Sequence, residues 1–127
     1  MGVLKDGNLI EVIDTSIDSS NIKLEEMIET IFITVSVIVK LHGGINSMKG
    51  IGIGCPGQCK EDILIAASNF PSLGTNIPLC DLISNKFGGI MCILLNDADA
   101  AFSAEVWRPD SNLSRENKLN AAMISII

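Results

Sequence analysis

The chain has 127 residues, of which 47% are hydrophobic and 19% charged, a composition typical of one globular domain and not of a disordered segment. The formal net charge is -6, and the nine lysines and arginines are scattered along the sequence. No basic stripe is available for a phosphate backbone, so we expect no nucleic-acid partner.

The distribution of apolar residues and cysteines indicates a reduced, cytoplasmic protein. The N-terminus carries no secretory signal, and the most apolar stretch, residues 27–41, is too short and too charged to span a bilayer. We therefore expect no membrane partner. Of the four cysteines, only Cys55 and Cys59 are close in sequence, and no second pair follows at zinc-site spacing. We expect packed thiols and no metal site in this chain.

The first half of the chain predicts a hairpin, a long helix and a strand. Residues 2–14 have two short apolar runs around Asp6-Gly7, a dipeptide typical of hairpin turns. Residues 23–42 carry apolar side chains at helical spacing and end at a glycine pair, although their many β-branched residues leave strand character open in the second half. Residues 49–54 predict a short strand that leads into a proline–glycine turn.

The second half alternates strands, helices and loops. In chain order we predict a strand at 64–67, a loop at 69–78, a helix at 79–86, a strand at 90–95, a helix at 98–107, a polar loop at 108–120 and a strand at 121–127. The strand at 90–95 is entirely apolar, as expected inside a sheet covered on both faces. The alternation predicts an α/β fold with a central sheet.

The strongest candidate site is the pair Asn96-Asp97, at the junction of a predicted strand and helix. Open α/β sheets bind ligands at the carboxyl ends of their strands. An asparagine amide offers a donor and an acceptor to sugar hydroxyls, and an aspartate accepts a hydroxyl proton as a bond to phosphorus forms. The alternative is that the pair only caps the helix, since Asn and Asp are common capping residues.

Two other segments carry weaker signals. The run GIGCPG at 52–57 allows a backbone to approach a ligand closely, but it matches neither a dinucleotide-binding motif nor a P-loop. A structural turn explains that run equally well. The segment SNFP at 68–71 places polar groups on a loop, which by itself indicates no particular function.

Together, the segments GIGCPGQ, AASNFPSLGTNIPLCDLISNKFG and ILLNDADAAFSAE resemble the ROK family of sugar kinases and sugar-responsive regulators. That family shows a G-(I/V)-G-x-P-G turn, an (A/P)-N-x-P segment, a V-P-L helix and a strand ending in N-D-A-x-A-A-x-x-E. The resemblance extends to the hairpin at 2–13 and covers nearly the whole chain. It implies an α/β, actin-like ATPase (ribonuclease H-like) fold, of which residues 1–127 form part, mainly the N-terminal lobe.

The resemblance also implies a glucokinase-like reaction and roles for individual residues. ATP, with Mg²⁺, phosphorylates the 6-hydroxyl of a hexose or N-acetylhexosamine. Asp97 is the expected catalytic base, and Asn96 is expected to bind neighbouring sugar hydroxyls. The other positions that match sugar-facing residues of the family are Gly57, Gln58, Ser68 and Asn69. Full-length members of the family are often homodimers.

The sequence departs from the family pattern in ways that affect the ATP site. The D-x-G-G-T phosphate loop before the hairpin, the G-T-G-x-G-G-G loop after the last strand, the E-x-G-H sugar contacts and the cysteine-rich zinc motif are not in this chain. Asp99 stands where the family usually has asparagine. We therefore assign no cofactor-binding residue and expect this truncated chain alone to transfer phosphate negligibly.

Three interpretations remain open at this point. The chain is part of a sugar kinase, part of a sugar-sensing transcriptional regulator, or a non-catalytic fragment that binds a sugar or another subunit. A regulator of this family carries an N-terminal helix-turn-helix, which these 127 residues do not contain. The retained Asp97 favours the kinase.

Overall fold

The computed structural model describes residues 1–6, 8–107, 112 and 114. Its strands are β1 (Gly2–Lys5), β2 (Asn8–Val12), β3 (Ile51–Cys55), β4 (Gln58–Lys60), β5 (Ile63–Ala66) and β6 (Cys92–Asn96), and its helices are α1 (Leu24–Val39), α2 (Leu79–Lys86) and α3 (Asp97–Trp107). The predicted α/β class is confirmed. The predicted strand at 121–127, and the loop at 108–120 apart from residues 112 and 114, lie outside the described residues.

Strands β1 and β2 form the predicted antiparallel hairpin. Gly2 pairs with Val12 and Lys5 with Asn8, and the register shifts by a bulge between Val3 and Leu4. Below the paired strands, the amino group of Met1 donates to the carbonyl oxygen of Ile13 at 2.6 Å. The hairpin is therefore closed at both of its ends by backbone hydrogen bonds.

Helix α1 covers the predicted helical stretch in spite of its β-branched residues. Two of its hydroxyl groups, on Thr30 and Ser36, donate to the carbonyl oxygens four residues earlier, so they do not compete with the helix. A 3-10 turn follows at Lys40–His42, and Gly43 then ends the helix in the left-handed region at φ 101°. No helix among the described residues is long and apolar enough to cross a membrane.

Strands β3 and β6 form a parallel pair with Ile51 opposite Cys92 and Cys55 opposite Asn96. Side chains alternate across this pair, so that Leu94 is buried while its neighbour Ile93 remains 51% exposed. The prediction that this apolar strand is covered on both faces is therefore wrong for the part of the chain that the structure describes. Only the start of α3 lies on the second face, where it packs against Gly54.

Between β3 and β6 lies a small antiparallel hairpin, β4–β5, of which sequence patterning indicated only the second strand. Strand β4 is the run Gln58–Lys60, whose single apolar residue is Cys59, so no alternation of two apolar residues marked it. Glu61 makes the turn with a left-handed φ of 53°. A bridge from Leu64 to Ile77 then attaches the following loop to β5.

The core lies between α1, α2, β5 and the inner face of the β3–β6 pair. Its fully buried side chains are Leu64, Leu79 and Ile83. Phe32 of α1 packs against Phe87 with the ring centroids 5.0 Å apart. The core therefore places α2 behind β6 and fixes the position of the strand that ends at Asn96.

Candidate functional site

The ends of β3 and β6 meet at one edge of the parallel pair. Cys55, the last residue of β3, is the register partner of Asn96, the last residue of β6. Parallel strands present their carboxyl ends at the same edge, so the turn after β3 and the first turn of α3 are neighbours. We call the residues Gly57, Gln58, Asn96 and Asp97 the strand-end corner.

Asn96 connects the two halves of this corner. Its Nδ2 donates to the carbonyl oxygen of Gly57 at 2.6 Å, and its Oδ1 accepts from the backbone nitrogen of Ala98 at 2.9 Å. The second contact is a helix cap, because Ala98 is the second residue of α3. The capping alternative raised by the sequence therefore describes the geometry of Asn96 correctly, and the bond to Gly57 comes in addition to it.

Asp97 begins α3 and has an exposed side chain. Its Oδ1 accepts from the backbone nitrogen of Ala98 at 2.9 Å, and a carboxylate at this position is favoured by the dipole of the helix. The described hydrogen bonds give no partner to its other oxygen, Oδ2. An exposed carboxylate with one oxygen held and one open is suited to accept a proton from a bound hydroxyl group.

Two glycines of the run at 52–57, Gly54 and Gly57, lie in different surroundings. Gly57 has φ 131°, and a Cβ there would lie 2.3 Å from the carbonyl oxygen of Ala66. A Cβ on Gly54 would lie 3.5 Å from the Cβ of Ala100 and 4.0 Å from the Cα of Asp97, which are ordinary van der Waals distances, so α3 passes close to this strand without requiring a glycine there. The structural-turn alternative is thus also correct, and the turn brings the carbonyl of Gly57, the neighbour of Gln58 in sequence, to Asn96 at the start of α3.

Ser68 and Asn69 follow β5 on an exposed loop. Gln58 is the register partner of Ala66, and a Cβ on Gly57 would lie 2.9 Å from the Cα of Ala67, so this loop starts next to the strand-end corner. No described hydrogen bond joins the side chains of Ser68 and Asn69 to Asn96 or Asp97. The structure thus brings Gly57, Gln58, Asn96 and Asp97 together, with Ser68 and Asn69 next to them along the chain.

Two thiols lie beside the corner, a proximity that sequence reasoning missed. Burial, followed by the nearby Cys59 and Asp97, raises the pKa of Cys55 to about 11. Burial also raises the pKa of Cys59, with Asp99 and Asp97 contributing, which places this thiol near both carboxylates. Both thiols are therefore protonated at neutral pH, as expected for packed side chains. The available signal was the position of Cys59 four residues after Cys55, across a proline–glycine turn.

Apart from the strand-end corner, the described residues form few candidate binding sites for a ligand. Among them, no group of three or more His, Cys, Asp or Glu side chains is arranged to hold a metal ion. A surface depression of about 230 Å³ is lined by residues that include Ser16, Asp18 and Glu26. It shares no residue with the strand-end corner, and its two acidic side chains provide no chemistry that Asp97 lacks, so we do not regard it as the principal site.

Comparison with known proteins identifies a similar fold. No protein-family model matches the sequence, and no curated protein matches it. Among solved structures, a putative sugar kinase from Cytophaga hutchinsonii ATCC 33406 is similar, with a TM-score of 0.57 and 24% identity over 69% of this chain. The chain spans 29% of the length of that protein. At this level of identity the likeness shows that the two proteins share a fold over the matched region.

Proposed function

We propose that this chain is part of a sugar kinase of the ROK type, with an actin-like ATPase fold, and that its strand-end corner binds the sugar. The observation that carries the proposal is the register of β3 and β6, which places the Gly57 turn and Asp97 at the carboxyl ends of neighbouring parallel strands. Support comes from the fold shared with a putative sugar kinase and from the run NDADAAFSAE at 96–105, which begins with the N-D-A-x-A-A of the family pattern.

In the proposed reaction, ATP phosphorylates the 6-hydroxyl of a hexose or N-acetylhexosamine. The hydroxyl oxygen forms a bond to the γ-phosphorus, the bond from that phosphorus to ADP breaks, and the hydroxyl proton passes to Asp97. The open oxygen of Asp97 is the atom that accepts it, because Oδ1 already accepts from the backbone of Ala98. General-base assistance of this kind typically accelerates a reaction by about 10²–10⁴-fold.

The proposed sugar contacts come from exposed polar side chains around Asp97. Gln58, Ser68 and Asn69 are exposed, and each can both donate and accept a hydrogen bond. Asn96 uses one amide proton and one lone pair within the protein, so one of each remains for a sugar hydroxyl. Groups of this kind suit a polyhydroxylated ligand, in which every hydroxyl is both donor and acceptor.

The described residues do not fit the nucleotide half of the reaction. Neither glycine-rich phosphate loop of the family is in the sequence, and the described part holds no cluster of carboxylates suited to Mg²⁺. We therefore assign no residue of this chain to binding ATP or Mg²⁺. The proposal assigns the sugar side of the reaction to this chain, and it includes a cytoplasmic location and, for a full-length protein, a homodimer.

The proposal is tested by Asp97→Asn in the protein encoded by the complete reading frame, with Asp99→Asn as the matched control. Transfer of labelled phosphate from ATP to a panel of hexoses and N-acetylhexosamines is measured together with sugar binding by calorimetry. Asp97→Asn is expected to lower turnover by about 10²–10⁴-fold and to retain sugar binding, whereas Asp99→Asn retains both. Undiminished turnover in Asp97→Asn would remove Asp97 as the base.

A further inference from the structure

We infer that Asn96 is the positioning residue of the strand-end corner: its amide holds the Gly57–Gln58 turn against the first turn of α3. The position of Gln58 relative to Asp97 then depends on this side chain together with the pairing of Gln58 with Ala66 in β4–β5. The inference rests on the proposed function for its consequence in sugar binding, whereas the two hydrogen bonds of Asn96 are independent of that function.

The contacts of Asn96 join two segments that are distant in sequence. Gly57, which accepts from Nδ2, is 39 residues away, and Ala98, which donates to Oδ1, is in the adjoining helix. Asn96 is half-buried, and both ends of its amide therefore have protein partners in a partly dehydrated position. A side chain used only to bind ligand would leave its amide directed at solvent until the sugar arrives.

Gly57 depends on backbone contacts to hold the direction of its carbonyl group. Its φ of 131° is available to glycine, and the nearby carbonyl oxygen of Ala66 leaves no room for a side chain. Gly57 therefore has no side chain that could pack against the protein and hold the turn in place. The hydrogen bond from Asn96 ties the turn to β6 directly across the ends of the register partners Cys55 and Asn96.

Two substitutions separate this hydrogen bond from the helix cap. Serine at position 96 still accepts from the second backbone nitrogen of α3, but its side chain is too short to reach Gly57. Aspartate also keeps the cap, and its ionised form has no proton to donate to the Gly57 carbonyl. A protonated aspartate regains an O–H donor in nearly the shape of the amide. Asn96→Asp therefore loses the contact at neutral pH and recovers it in acid, whereas Asn96→Ser does not.

The experiment uses the isotopically labelled full chain and follows the carbonyl carbon of Gly57 and the amide of Gln58 by NMR between pH 7 and pH 3, since an aspartate side chain ordinarily titrates at about pH 3.9. Both resonances are expected to move in Asn96→Asp and Asn96→Ser at pH 7, and to return toward their original positions at low pH in Asn96→Asp alone. Asn85→Asp, at an exposed position on α2, adds the same charge and is the control. In the unmodified chain, one of the two Nδ2 protons of Asn96 should exchange slowly with solvent.

Titration with glucose and N-acetylglucosamine gives the functional readout. At pH 7 both variants are expected to bind the sugar that the unmodified chain binds about tenfold more weakly, which corresponds to about 1.4 kcal/mol. In Asn96→Asp part of this loss is recovered on acidification. Unchanged affinity in a variant whose Gly57 resonances have moved would overturn the positioning role.

The outcomes separate this inference from the proposed function. If the unmodified protein binds no sugar, the sugar-kinase proposal fails, and the acid-dependent return of the Gly57 resonances still decides whether Asn96 holds the turn. If neither variant moves those resonances, or if the Asn96 Nδ2 protons exchange freely in the unmodified chain, the inference is wrong even when sugar binds.

Discussion

The two strand pairs β1–β2 and β3–β6 have similar lengths and very different surroundings. In the β1–β2 hairpin, Leu4 is 70% exposed and Leu9 is 60% exposed, and the pairing depends mainly on backbone hydrogen bonds. In the β3–β6 pair, Cys55 and Leu94 are buried against the core, and α3 approaches the second face at Gly54. The candidate site lies at the end of the pair whose position is fixed by packing on several sides.

This difference has a physical consequence. A packed scaffold holds the side chains at its end within a fraction of an ångström, and a hairpin with little packing does not. The hairpin buries little and is expected to open locally at low cost, since local stability follows the number of buried apolar contacts. We therefore expect substitutions in the two regions to differ in the free energy of unfolding far more than their apolar character suggests.

The largest expected contrast is between Ile83→Ala in the core and Leu9→Ala in the hairpin. Ile83 is fully buried behind β6, so its truncation should lower the free energy of unfolding by about 2–5 kcal/mol. Leu9 is mostly exposed, and its truncation should cost about 0.5 kcal/mol or less. Denaturant unfolding monitored by circular dichroism measures both, and equal costs would show that the hairpin is packed against something in solution.

Gly57→Ala tests whether the turn at the strand-end corner is as constrained as β3 and β4, the strands on either side of it. Gly74→Ala is the matched control, because Gly74 also has a positive φ, 91°, but has open space where a Cβ would be. Backbone strain alone costs about 1–3 kcal/mol at either position. At Gly57 the clash with the carbonyl of Ala66 adds to it, so Gly57→Ala should unfold at a lower urea concentration than Gly74→Ala. The reverse order would mean that the turn adapts freely.

Sequence reasoning predicted most helices and strands, and it failed where position rather than pattern decides. The β1–β2 pairing, the glycine stop of α1 and the capping alternative at Asn96 follow from local signals, and all three agree with the structure. Strand β4 was missed because its three residues carry no apolar alternation. That Ile93 of β6 stays half exposed among the described residues could not be read from the composition of the strand, since an apolar run looks the same whether or not a second layer is present.

The candidate site was predictable as a list of residues and not as a geometry. The strand–Asn–Asp–helix order indicated a candidate site, and the family resemblance supplied the other candidate positions. The bond from Asn96 to Gly57 depends on the register of two strands separated by a hairpin and a helix, and no local pattern encodes that register. The roles of these residues in sugar phosphorylation remain predictions.

A smaller effect is expected in the pH dependence of the free energy of unfolding, through Cys55 in the β3–β6 pair. Burial raises the pKa of Cys55 from its ordinary 9.0 to about 11, so the folded state binds this proton more tightly than the unfolded chain. The corresponding stability is fully present below pH 9 and is lost as the pH rises through 11. Between those values, we expect unmodified protein to lose about 1–2 kcal/mol more than Cys55→Ala, whose unfolding is measured in parallel. Identical pH profiles would show that Cys55 is hydrated.

The smallest expected effect lies at the attachment of the hairpin to the rest of the chain. The Nε2 of His42, in the 3-10 turn after α1, is 2.6 Å from the Oε2 of Glu11 in β2, and both side chains are partly exposed. A pair of this kind contributes about 0.5 kcal/mol, because solvent screens it. A double-mutant cycle with Glu11→Gln and His42→Gln should give that coupling, and hydrogen exchange should show faster opening of β1–β2 with β3–β6 unaffected. If exchange accelerates equally in both pairs, the hairpin and the packed pair unfold as one unit, and the contrast between them disappears.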